Sequence, residues 1–196
     1  MNYLAHAYLS FGNPGWVTGN LISDFVKGRK RYDYPEIIQQ GISLHRAIDE
    51  FTDSHEAIKS AKEIFRPAYR LYSGAFVDVV YDHFLANDPL QFSDEEALMN
   101  FTGKTYDSLA GHYHLLPNIF HTMFDRMKQQ NWLFNYRFHL GMQKSFNGLV
   151  YRSRYLEESD TAFALYMENY AQLQESYDAF FPELNAFAAR YVNENF

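Results

Sequence analysis

The sequence predicts an all-α fold: a single-domain helical bundle of about seven or eight helices spanning residues 1–196. Three observations predict it. Apolar residues recur at helical spacing along most of the chain. No run alternates apolar and polar residues with the period of two that a half-buried strand needs. Helix-starting and helix-stopping residues punctuate the apolar stripes at regular intervals. A chain of 196 residues, 47% hydrophobic and 18% aromatic, is long enough for one core and too apolar for disorder.

Taken in order, residues 35–64 begin with Pro35 at a first helical position, and Leu44, Ile48 and Phe51 form an apolar stripe at i, i+4 and i+7. Residues 67–86 are a second, strongly apolar helix that Asn87-Asp88-Pro89 ends. Ser93-Asp94-Glu95-Glu96 is a capping box that opens a helix reaching Leu109. Pro117 starts another, reaching Gln130, and residues 132–147 are helical. Ser159-Asp160 starts a long helix toward Phe181, and Pro182 breaks or kinks it ahead of a last helix.

Composition narrows the function classes. The chain has no cysteine, so no disulfide and no thiolate chemistry, which suits a cytoplasmic location. MNYLAHAYLSFG lacks a basic n-region and carries a polar His6, so it makes a poor signal peptide. No stretch is apolar enough to span a membrane. A formal net charge of -7 argues against a general nucleic-acid binder. Against that balance, Lys27, Arg29, Lys30 and Arg31 crowd four positive charges into one short run, by itself no more than a solvated loop.

The stretch AFVDVVYDHFLA, residues 75–86, sets Asp78, Asp82 and His83 into a run of core-type residues. Helix spacing puts the two aspartates on one face. Buried carboxylates need a compensator: arginine partners such as Arg66 and Arg70, a shared proton, or a metal cation. In residues 35–64, His45 and Asp49 also share a face, continued by Thr52 and Asp53, about 100° from the apolar stripe. That pair alone reads as a surface His–Asp contact. Upstream, His6 lies in an apolar stretch, where a core histidine is the plain alternative. Asp24 follows Gly19-Asn-Leu-Ile-Ser23, where a helix cap or turn is the plain alternative. Together these residues form an imidazole–carboxylate set without thiolate, favouring Mn²⁺, Fe²⁺, Mg²⁺ or a catalytic Zn²⁺. Adjacent Asp82 and His83 point about 100° apart, so His83 is expected to orient a neighbour or contact substrate. A carboxylate-rich metal beside a cationic loop points to phosphate-ester chemistry.

Met1-Asn-Tyr-Leu-Ala-His6, Gly19-Asn-Leu-Ile-Ser-Asp-Phe-Val-Lys-Gly28, Gly41-Ile-Ser-Leu-His-Arg-Ala-Ile-Asp49 with Thr52-Asp53, and Asp78-Val-Val-Tyr-Asp-His-Phe-Leu85 resemble the motifs of bacterial acyl carrier protein phosphodiesterases. Trp132-Leu133, Tyr136-Arg137, Gly148 and Phe181-Pro182 extend the resemblance more loosely. That family is helical and is similar to the HD-type metal-dependent phosphohydrolases. It hydrolyses the phosphodiester that joins 4′-phosphopantetheine to a serine of holo acyl carrier protein, with Mn²⁺ preferred. The resemblance implies a cation, Mn²⁺ ahead of Mg²⁺ or Fe²⁺, held by a subset of His6, Asp24, His45, Asp49, Asp78 and Asp82. Asp24, His45, Asp78 and His83 are then the expected catalytic residues. This chain has no His-Asp dipeptide and carries Asp82-His83 in reverse order, so its ligand set rests on the helix faces. The resemblance also gives the basic run a purpose: Lys27, Arg29, Lys30 and Arg31, joined by Arg46, Arg66 and Arg70, would dock an acidic carrier or approach its phosphate. Two alternatives stand beside this reading: a phosphohydrolase of nucleotides or other small phosphate esters, and a non-catalytic helical binding protein whose aspartates and histidines pair internally.

Overall fold

The computed structural model describes residues 1–196 as eleven α-helices, four short 3-10 turns and no strand. The all-α expectation holds, with more and shorter helices than the sequence pattern predicts. Two of the extra ones come first. Helix α1 spans Tyr3–Tyr8 and α2 spans Pro14–Ile22. Asn13 starts α2 by accepting the amides of Gly15 and Trp16, with Pro14 at the first helical position.

The helix expected over 35–64 is two, α3 (Glu36–Ser54) and α4 (Glu56–Tyr69). They are separated at His55, whose backbone is extended and whose Nδ1 accepts the Ala57 amide. Helix α4 runs through Pro67, then Arg70 turns the chain with φ 48°. Helix α5 therefore begins at Ser73 rather than 67 and ends at Ala86. Helix α6 (Glu95–Gly111) is capped by Asp94, which accepts the Ala97 amide at 2.8 Å, one residue later than the capping box implies. Pro117 caps α7 (Asn118–Gln129). Residues 132–147 split into α8 (Trp132–Asn135) and α9 (His139–Arg152).

The last stretch is α10 (Asp160–Glu168) and α11 (Tyr170–Asn195). The break falls at Asn169, whose side chain donates to the Leu165 carbonyl, and not at Pro182. Pro182 and Asp178, whose carbonyl loses its partner to the proline, both face solvent. Water can satisfy that carbonyl, so α11 continues through the proline.

One cluster of 47 buried residues runs from Met1 to Val192. Helix α5 lies inside it, against α1, α4, α9 and α11, and all its residues but Gly74, Ala75 and Asp78 are buried. Helix α2 lies along α3 in close backbone contact. A Cβ on Gly19 would strike the Ile38 carbonyl, and one on Gly41 the Trp16 carbonyl. The α3 stripe packs as predicted, with Leu44 and Ile48 fully buried and Phe51 packed at the core's edge. No helix is long and apolar enough to cross a membrane.

Candidate metal centre

The two α5 carboxylates hold the start of the chain in place. Asp82 is fully buried and accepts the amides of Leu4 at 2.7 Å, Ala5 at 3.2 Å and Asn2 at 3.3 Å. Helix α1 has six residues, too few to stand alone, and its own Asn2 makes no side-chain cap. Asp82 supplies the cap from the neighbouring helix. One turn earlier, Asp78 pairs with the Met1 ammonium at 2.9 Å. Pinned at both points, α1 presents His6 toward α3.

There His6 meets His45. The rings stack with centroids 4.1 Å apart and 17° between planes. His6 Nε2 lies 3.3 Å from Asp49 Oδ1, and His45 Nε2 lies 3.0 Å from Asp49 Oδ2 and 3.3 Å from Asp24 Oδ1. His45 is set by Asn20, brought against α3 by the glycine contact. Asn20 donates its amide hydrogens to the His6 carbonyl at 3.0 Å and Ser10 Oγ at 3.1 Å. Its Oδ1 is therefore turned to His45 Nδ1, at 3.2 Å. That contact places a hydrogen on Nδ1 and aims Nε2 at the carboxylates.

The electrostatics are those of a site short of one positive charge. Burial and the neighbouring His45 push His6 down to about 4. Burial pulls His45 down too, but Asp24 and Asp49 together outweigh it and lift the ring to about 9. Burial raises Asp49, and the two histidines overcome it, holding the carboxyl far below its usual range. His45 lowers Asp24 in turn. At Asp82 burial pushes the carboxyl up to about 7 against the Leu4 amide and the Met1 ammonium.

The cluster fits a divalent cation. His6, His45 and Asp49 each offer a ligand atom, all within 4.8 Å of one another. The histidine–aspartate distances are short enough for ion pairs, yet His6 Nδ1 and His45 Nε2 are buried without any hydrogen bond of good geometry. A buried polar atom left unpartnered is costly, and a cation among the imidazoles and carboxylates relieves it at His45 Nε2, the nitrogen that faces Asp24 and Asp49. Asp24 stands at the mouth, its side chain 70% exposed.

The other predicted residues lie as follows. Asp78 and Asp82 are committed to the Met1 amine and the α1 amides. His83 is on the far side of α5: its Nδ1 donates to the Tyr136 carbonyl at 2.7 Å and its Nε2 meets the Tyr170 hydroxyl at 2.9 Å. Burial pushes its ring down to about 4. Lys27, Arg29 and Lys30 are exposed and Arg31 is half-exposed, with Lys27 leading into the 3-10 turn Gly28–Asp33 that carries the other three just past Asp24. None of the four forms an ion pair. Arg46 donates to the Val26 carbonyl at 3.3 Å and so ties that segment to α3. Arg66 pairs with Glu63 at 3.1 Å, and Arg70 lies in the turn after α4. Neither is paired with Asp78 or Asp82. Sequence patterning missed Asn20 and the Met1 amine. Asn20 alone carried a signal, an amide between Gly19 and Leu21 on a buried helix.

Comparison with known proteins gives the family. The family model described as acyl carrier protein phosphodiesterase matches residues 1–184. Proteins named acyl carrier protein phosphodiesterase from Salmonella agona (strain SL483) and Salmonella newport (strain SL254) are each 32% identical over 190 residues, covering 97% of this chain and 98% of theirs. No solved structure matches the chain.

Proposed function

The chain belongs to the acyl carrier protein phosphodiesterase family, and on that premise we propose that it hydrolyses the phosphodiester between 4′-phosphopantetheine and a serine of holo acyl carrier protein. The observation that carries the reading is the convergence of His6, His45 and Asp49, with two imidazole nitrogens buried and unpartnered, inside a match that covers nearly the whole chain. His6, His45 and Asp49 would hold the cation, with Asp24 at the mouth as a further ligand or base. Mn²⁺ suits this set of nitrogen and oxygen donors, with Mg²⁺ or Fe²⁺ as alternatives. Bound there, the cation supplies Lewis acidity toward a phosphoryl oxygen and toward water.

The chain's own residues do the rest. Asn20 fixes the His45 tautomer, so Nε2 is the nitrogen turned to the centre. Asp24, 70% exposed at the mouth, is placed to hold an attacking water by hydrogen bond, while Asp78 anchors the Met1 amine. Asp82 acts at one remove, by capping the helix that carries His6. His83 holds α5 to Tyr136 and Tyr170 and takes a positioning role on this reading. The unpaired cations Lys27, Arg29, Lys30 and Arg31 follow Asp24 directly and would meet the acidic carrier surface.

The test is to incubate the protein with holo acyl carrier protein and Mn²⁺, with an EDTA control, and weigh the carrier by mass spectrometry. Loss of the phosphopantetheine mass only with metal is expected. An unchanged carrier, with the fold intact and Mn²⁺ bound, would overturn the substrate and leave small phosphate esters as the class to try.

A further inference from the structure

A cavity of ≈ 150 Å³ opens where the start of α1 meets α8 and α9. Its chemistry differs from the rest of the molecule. The chain carries a net charge of -7, yet the lining has two cations, Lys144 and Arg152, and no carboxylate. Neither cation forms an ion pair. The remaining walls are rich in groups that recognise amides: the carboxamides of Asn2, Gln130 and Asn135, the hydroxyls of Tyr3 and Ser145, and the face of Trp132. Most of these are held in place: Asn135 Nδ2 donates to the Gln130 carbonyl at 2.7 Å and Ser145 Oγ to the Gly141 carbonyl at 2.9 Å. Trp132 Nε1 donates to Gln130 Oε1 at 2.9 Å, and Asn2 Nδ2 donates to the Tyr136 hydroxyl at 3.0 Å. Gly148 lines the cavity beside one of the cations: the Arg152 guanidinium lies 3.6 Å from where a Cβ would stand.

The cavity is lined in part by α1, the helix that carries His6. Asn2 and Tyr3 lie between Met1, which pairs with Asp78, and His6, and Val79 follows Asp78 on α5. Burial pushes the Tyr3 hydroxyl up to about 12, and that hydroxyl feels both the Arg152 charge from the cavity and the Asp24 charge from the centre.

We propose that this cavity receives the phosphopantetheine arm of the substrate, with Arg152 and Lys144 drawing in the anionic phosphoryl end and the carboxamide and indole wall taking the two amides. The proposal rests on the function proposed above. It adds a site that discriminates the arm itself, independent of how the carrier protein docks.

Calorimetric titration of the Mn²⁺-loaded protein with 4′-phosphopantetheine, and with pantetheine lacking the phosphate, tests it. The wild type should bind 4′-phosphopantetheine more tightly than pantetheine. Lys144→Ala/Arg152→Ala should weaken 4′-phosphopantetheine by about tenfold or more and erase that preference, as expected for loss of charge-assisted bonds. Gly148→Leu fills the cavity from a helical position and should remove binding of both ligands and raise KM for holo carrier, with the melting temperature showing an intact fold. Lys128→Ala, an exposed cation elsewhere, should bind as the wild type does. If the wild type binds neither ligand, or if Gly148→Leu and the double variant bind and turn over like the wild type, the proposal falls, even where holo carrier is still hydrolysed. If binding depends on Gly148 but holo carrier is untouched, the cavity assignment stands and the reaction assigned above is what fails.

Discussion

The molecule has two pairs of stacked histidines, the first buried and the second with His83 buried and His139 exposed, and they differ in what their nitrogens have left over. His6 and His45 stack at 4.1 Å beside Asp24 and Asp49, and each keeps a buried nitrogen with no hydrogen-bond partner. His83 and His139 stack at 5.4 Å beside Tyr136, Tyr166 and Tyr170. There both His83 nitrogens are satisfied by the Tyr136 carbonyl and the Tyr170 hydroxyl, and His139 Nδ1 meets the Tyr166 hydroxyl at 2.9 Å. No carboxylate adjoins that second pair. Burial alone therefore does not mark a functional histidine. Unsatisfied valence next to negative charge does.

The largest effects should come from breaking the first pair. His45→Gln or Asp49→Asn should lower hydrolysis of holo carrier by about three orders of magnitude, since each removes a group that holds the cation. The rise in melting temperature on adding Mn²⁺ should vanish with it, which thermal scans with and without the ion would read. Retained Mn²⁺ stabilisation in both variants would place the cation elsewhere. Next comes the residue that aims His45. Asn20→Ala should weaken Mn²⁺ affinity by about 10–100-fold, the scale for losing a partner that orients a ligand. Ion titration followed by melting temperature would show it. An unchanged affinity would mean that His45 is held by its stacking on His6 alone.

The first pair was half legible in the sequence. His45 and Asp49 stand four apart on a helix with a clear apolar stripe, so their shared face follows from periodicity. His6 and Asp24 were candidates on residue type only. What brings them in is tertiary: the Gly19–Gly41 contact that presses α2 onto α3, and Asp82 capping a six-residue helix 77 to 80 positions away in sequence. A cap supplied by another helix leaves no local signal, so α1 itself was invisible to pattern. The same blindness made the α5 aspartates look like a matched pair facing one centre. His83 was read from its adjacency to Asp82, although its partners, Tyr136 and Tyr170, come from the second half of the chain. The helix breaks at His55 and Asn169 escaped for a related reason: each is made by one polar side chain bonding locally, which periodicity averages away.

Asp82 gives the sharpest distinction between holding a ligand and being one. Asp82→Ala strips three backbone amides of their acceptor and should cost about 3 kcal/mol of stability. Mn²⁺ response should weaken with it, because α1 frays and His6 moves. Asp82→Asn keeps a carbonyl oxygen for the Leu4 amide and should recover part of both the stability and the Mn²⁺ response. An asparagine variant as dead toward Mn²⁺ as Asp49→Asn would make Asp82 a ligand after all.

The second pair should answer to stability and pH, leaving the metal alone. His83→Phe leaves the Tyr136 carbonyl and Tyr170 hydroxyl without their partner and should cost about 2 kcal/mol at pH 8, with the Mn²⁺ response retained. The pH dependence has a definite sign. Burial holds His83 near 4 in the fold, whereas the unfolded ring takes up its proton near 6.5. Between those values the unfolded chain binds the extra proton, so the wild type loses stability through this residue as pH falls from about 6.5 to about 4. Phenylalanine has no proton to take up. The deficit of His83→Phe should therefore shrink on acidification and close near pH 5, as denaturant titrations across that window would measure. A deficit that stays constant would mean that His83 keeps the same protonation folded and unfolded. The second pair would then be tuned as the first is, by charge rather than by satisfied hydrogen bonds.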